Sequence, residues 1–124
     1  MPPAVAVALG GACGALARYG AGQLVVTLLQ TAAPWSTWTV NLLGCLCIGL
    51  SVPLFGRLSG AETVRLALIA GFLGSFTTFS TFSLDTVALW AEGRGLLALL
   101  NVVGSVVAGL GCVAMGRALG EWLL

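Results

Sequence analysis

The sequence predicts an all-α membrane protein of four transmembrane helices, the third of them broken near the bilayer midplane. Three observations carry that expectation. The 124 residues are 59% hydrophobic and 7% charged, whereas soluble domains carry about 25% charged residues. The apolar stretches are long enough to span hydrocarbon, which takes about 20 residues of helix. Finally, residues 71–83, GFLGSFTTFSTFS, set six hydroxyl side chains inside one such stretch, where lipid offers them no partner.

Composition also removes whole classes of function. A net charge of +1 and the lack of a basic run argue against nucleic acid as a partner. All five basic residues are arginines and there is no histidine, so the commonest metal ligand, general base and Schiff-base former are missing. No Cys or Ser stands beside a recognisable base, and no enzyme is expected. Cys13, Cys45, Cys47 and Cys112 lie in apolar surroundings without a CxxC and read as small buried hydrophobes. No positive charge precedes Cys13, which argues against a lipoprotein signal or a cleaved leader. The first segment is therefore expected to remain.

Residues 1–124 read as a single domain with helices at roughly 4–30, 35–55, 63–90 and 96–119. Segment one holds a GxxxG pair, Gly10 and Gly14, which suits close helix contact. Arg18 lies inside it and faces either protein, a water-filled vestibule or, by snorkelling, the interface. TAAPWS (31–36) is a short turn, with Trp35 and Trp38 as interface anchors. Segment two carries Asn41, whose side chain must find partners for two donors and an acceptor, as helix glue or as a ligand donor. Pro53 bends or ends it.

GRLSGAETVR (56–65) is the most polar loop, and AEGRG (91–95) the next. Segment three holds the hydroxyl-rich stretch and then Asp85. Its hydroxyls could bond back to their own carbonyls. The alternative is a break at the glycines and β-branched threonines that frees carbonyls into the protein. Segment four places Asn101 and Ser105 one turn apart, with Gly104, Gly109 and Gly111 as a close-packing face. Arginine placement barely favours either orientation across the membrane. The small-residue faces make a dimer the expected assembly.

GGACGALARYG (10–20), VNLLG (40–44) and GFLGSFTTFSTFS (71–83) together resemble the Fluc (CrcB) family of fluoride channels. Length, four-helix plan and motif spacing agree over nearly the whole chain. The resemblance implies an antiparallel dimer of dual topology with two fluoride pores. It also implies a structural sodium ion at the dimer centre, held by the backbone carbonyls of Gly74 and Thr77 of each subunit. The pore phenylalanines would be Phe79 and Phe82, whose ring edges are electropositive, and the pore donors Asn41, Ser80, Thr81 and, on segment four, Ser105. Gly109 stands where some members carry another hydroxyl. Arg18 and Asp85 would lie in the vestibule. The setting would be the plasma membrane of a prokaryote, with multiple passes.

Three readings follow. A passive fluoride channel conferring fluoride resistance accounts for the buried hydroxyls. A proton-coupled small multidrug exporter would need a membrane-buried carboxylate, for which Asp85 is the candidate. A membrane scaffold would explain the glycines alone. The surviving motifs favour a homodimer over a pair with a homologue.

Overall fold

The computed structural model describes residues 1–31 and 34–124. In chain order these form α1 (Pro3–Leu29), α2 (Trp35–Gly56), α3 (Glu62–Arg65), a π-helical segment (Leu66–Leu73), α4 (Gly74–Phe76), α5 (Phe79–Ala91) and α6 (Gly95–Trp122). The middle four elements make one interrupted span, Glu62–Ala91, and all four spans are long and apolar enough to cross a membrane. No strand occurs among the described residues. The all-α, four-span architecture with a broken third helix is the one the sequence predicts.

Local chemistry sets the ends. Pro3 opens α1, where the missing N–H costs nothing, and Gln30 closes it in a left-handed conformation (φ 52°). Of the expected 31–36 turn, Ala32 and Ala33 lie outside the described residues. Pro34 precedes α2, and Pro53 does not end it, since the helix runs on to Gly56. The interruption of the third span falls at Thr77 (φ −83°, ψ 158°) and Thr78 (φ −148°, ψ 118°), both extended. Hydroxyl back-bonding occurs too: Thr77 Oγ1 donates to the Leu73 carbonyl at 3.0 Å and Ser83 Oγ to that of Phe79 at 2.9 Å.

The π-helical segment is not legible in the sequence. Its signature is the Gly74 N–H reaching the Ile69 carbonyl, five residues back. Such a turn still gives the Gly74 N–H a partner within the helix, as the membrane requires. Glycines then bring α1 against it. A Cβ at Gly10 would collide with the Ala67 carbonyl, one at Gly14 with that of Phe72, and one at Gly71 would stand 2.7 Å from the Val7 carbonyl. The GxxxG pair is thus spent within the chain, so it gives no support to dimerisation.

The same holds where α2 crosses α6, the most extensive helix pair. Gly49 faces the Val113 carbonyl, Gly116 that of Leu46, and Gly120 meets Pro53. On the expected close-packing face, Gly104 lies against the Trp38 ring and Gly109 near Cys45, but Gly111 meets nothing within 4 Å. Cys13 and Cys47 are exposed on their helices, so only Cys45 and Cys112 are even partly enclosed.

Candidate functional site

The break in the third span positions the site. In an uninterrupted helix the Thr78 N–H would bond the Gly74 carbonyl. Instead it donates to Asn41 Oδ1 at 2.7 Å, and Asn41 Nδ2 donates to the Thr78 carbonyl at 3.0 Å. The Asn41 side chain therefore replaces a backbone partner on both sides of one residue. The Thr77 carbonyl, also released, accepts from Arg18 Nη1 at 3.2 Å. Asn41 thus ties α2 to the break through one N–H and its oxygen, and Arg18 reaches a backbone carbonyl of the protein.

Thr78 also starts α5. Its Oγ1 accepts from the Thr81 N–H at 3.2 Å as an N-cap, and it donates to Thr81 Oγ1 at 3.1 Å. Ser80 Oγ lies 3.3 Å from the same hydroxyl. The hydroxyl track is thus a cluster centred on Thr78, a residue the sequence reading did not single out. Threonine is a common N-cap residue, but nothing else in the sequence sets Thr78 apart from Thr77 and Thr81.

Two cavities flank the break. One, of about 390 Å³, is lined by Asn41, Gly74, Thr77, Thr78, Phe79, Phe82 and Ser105 together with apolar residues of α2, the π-helical segment and α6. It unites most of the expected pore residues. The other, of about 200 Å³, is lined by Arg18, Ser36, Thr37, Thr78 and Thr81 among others. Thr78 borders both, and Thr81 belongs to the second.

The Phe79 and Phe82 ring centroids are 5.4 Å apart, with planes 41° from parallel. Helical spacing of three puts both on one face. Phe79 is 80% exposed and Gly74 is exposed as well. One chain therefore leaves this wall of the cavity open.

Asp85 takes no arginine. It is 9% exposed and accepts from Thr37 Oγ1 at 2.6 Å, a residue only 4% exposed. Among the described residues the three ion pairs, Arg65–Glu62, Arg94–Glu92 and Arg117–Glu121, all lie at the ends of spans or in loops. A Cβ at Gly109 would stand 3.5 Å from Cys45 Sγ, so a hydroxyl there would face a thiol that lines the larger cavity.

Trp38 departs from its expected role. Its Nε1 donates at 2.6 Å to Oδ1 of Asn101, a residue 2% exposed, inside the bundle. Trp35 is 45% exposed, with its ring 6.3 Å from that of Trp38. Tryptophan beside a turn suits either place, because one indole N–H satisfied by a buried amide is as good as one in the headgroups.

Residues 5–117 match the family described as CrcB-like protein, Camphor Resistance (CrcB). A protein of Chloroflexus aurantiacus named fluoride-specific ion channel FluC is 49% identical over 119 residues, 95% of this chain and 94% of its own. One of the same name from Allorhizobium ampelinum is 44% identical over 124 residues, 99% of each chain. Another, from Magnetococcus marinus, is 46% identical over 116 residues, 93% and 94% of the two. These relatives are named as channels, not enzymes. With four spans of membrane length and a match over nearly all of its sequence, the chain is a multi-pass membrane protein that belongs to the CrcB family.

Proposed function

We propose that this chain is a fluoride-selective channel that lets fluoride leave a prokaryotic cytoplasm passively, residues 1–124 acting as one transmembrane unit in an antiparallel dimer with two pores. One observation carries the reading. A single cavity at the break is lined by Phe79 and Phe82 together with Asn41 and Ser105, in a chain whose relatives are named fluoride-specific ion channels.

Fluoride is small and strongly hydrated, so a pore must replace its water without trapping it. Asn41 spends one N–H on Thr78 and keeps a second, and the Ser105 hydroxyl rotates to donate. Ring edges of Phe79 and Phe82, in the lining of the same cavity, offer weak positive potential. Several weak donors suit passage better than one strong site. Arg18, at the smaller cavity, draws anions by its charge, and Ser80 and Thr81 extend the donors beyond Thr78.

The open wall supports a second copy. A Gly74 carbonyl without its Thr78 partner, in mid-span, has nothing to bond in lipid. Neutral carbonyls suit a hard cation, and Gly74 and Thr77 present two per chain. The neutral oxygens suit sodium, while Arg18, which already donates to the Thr77 carbonyl, places a positive charge that opposes a cation on that oxygen. Two oxygens are too few for a hard cation, so a second copy would supply as many. When bound, the ion supplies fixed positive charge that ties the two breaks together.

Asp85, on which a proton-coupled exporter would depend, is already bonded to Thr37. The reading is tested by fluoride efflux from liposomes holding Phe79→Ile or Phe82→Ile protein. Loss of flux from dimers that elute like the parent supports it. Parental flux from both variants overturns the pore assignment.

A further inference from the structure

A chain of hydrogen bonds crosses the bundle one turn beyond the phenylalanine pair. Trp38 Nε1 on α2 donates to Asn101 Oδ1 on α6 at 2.6 Å. Asn101 Nδ2 donates to Thr86 Oγ1 on α5 at 2.8 Å, and Thr86 Oγ1 donates to the Phe82 carbonyl at 2.8 Å. Each donor has one acceptor, and the directions are fixed at both ends. An indole N–H can only donate, and a carbonyl can only accept. With Asn101 2% exposed and lipid outside, water does not compete for these bonds.

α5 is thereby held at two points by two asparagines. Asn41 of α2 grips Thr78 at its start, and Asn101 of α6 grips Thr86 two turns later. Phe79 and Phe82 lie between these points. The second grip ends on the carbonyl of Phe82 itself. A threonine hydroxyl bonded four residues back bends its helix, and the Asn101 amide fixes the Thr86 rotamer that makes this bond. None of the three side chains lines either cavity at the break. Trp38, Asn101 and Thr86 reach Phe82 through its backbone carbonyl.

We infer that Asn101, bridging Trp38 and Thr86, is a positioning residue that sets the Phe82 ring in the ion pathway and with it discrimination against larger halides. The inference rests on the channel reading above. In contrast to a general packing role, it requires a hydrogen-bonded chain, so a hydroxyl at position 86 should matter more than bulk.

The experiment measures fluoride and chloride efflux from liposomes for the parent, Asn101→Leu, Thr86→Val, Thr86→Ser and Trp38→Phe, each first shown to be folded by gel filtration. Thr86→Val keeps the shape and removes the bonds. It and Asn101→Leu should each slow fluoride efflux roughly tenfold, the effect of losing one or two buried hydrogen bonds at a barrier, or admit chloride. Trp38→Phe should act in the same direction, and its effect should not add to that of Asn101→Leu. Thr86→Ser should restore the parent's rate. Parental efflux and selectivity in Thr86→Val and Asn101→Leu would overturn the inference while leaving the channel intact. So would a loss in Asn101→Leu alone, which would place Asn101 in the pathway itself. A parent that passes no fluoride would instead remove the channel reading beneath it.

Discussion

The Asn41 side chain bonds both backbone groups of Thr78, taking its N–H at 2.7 Å and giving to its carbonyl at 3.0 Å. A helix can be broken inside a membrane only if the freed groups find partners in the protein. Asn41 supplies two of them and so fixes where the break falls.

Asn41→Ala should therefore unmake the break as well as the donor. Two orphaned backbone groups cost about 1–3 kcal/mol each when buried. Thermal melting in detergent should fall well below the parent's, with fluoride flux lost. Asn41→Ala protein that melts like the parent would contradict the clamp.

Gly14→Ala drives a methyl into the Phe72 carbonyl on the π-helical segment. Overpacking of this kind costs about 1–3 kcal/mol. Gly111→Ala meets open space and should leave stability unchanged or raise it by up to about 1 kcal/mol through helix propensity. Equal melting temperatures for the two variants would refute this assignment of glycine roles.

Much of this was legible in advance, and the exceptions have physical causes. Four spans follow from apolar length, and the break from hydroxyls that lipid cannot satisfy. Which glycines serve contacts within the chain is not legible, because GxxxG reports a close approach without naming the partner helix. Trp38 and Asn101 are 63 positions apart, so their bond depends on how α2 meets α6. At the site, Asn41, Phe79, Phe82 and Ser105 are expected pore residues that line one cavity, whereas Thr78 is not legible because in sequence it resembles its threonine neighbours. Its distinction is conformational.

Asp85 and Thr37 form a buried pair at 2.6 Å. Thr37→Val leaves the Asp85 carboxyl without its donor and should cost about 1–3 kcal/mol, with Thr37→Ser close to the parent in a melting experiment. Asp85→Asn should retain fluoride flux that needs no proton gradient. A pH-driven cation efflux in the parent that Asp85→Asn abolishes would favour an exporter.

Arg18→Gln removes the guanidinium at the Thr77 carbonyl and, at the smaller cavity, the positive charge proposed to draw anions in. Fluoride flux should fall, and its dependence on ionic strength should weaken, because steering by charge is screened over about 10 Å at 0.1 M salt. Unchanged flux and unchanged salt dependence would remove Arg18 from the entry path.

The most direct measurement is fluoride efflux from liposomes containing the unmodified protein, followed with a fluoride electrode after valinomycin has cancelled the membrane potential. Rapid, complete fluoride loss without a proton gradient, and none with chloride inside, is the expected result. Folded protein that releases neither ion, or both alike, would contradict a fluoride-selective pathway at the Thr77–Thr78 break.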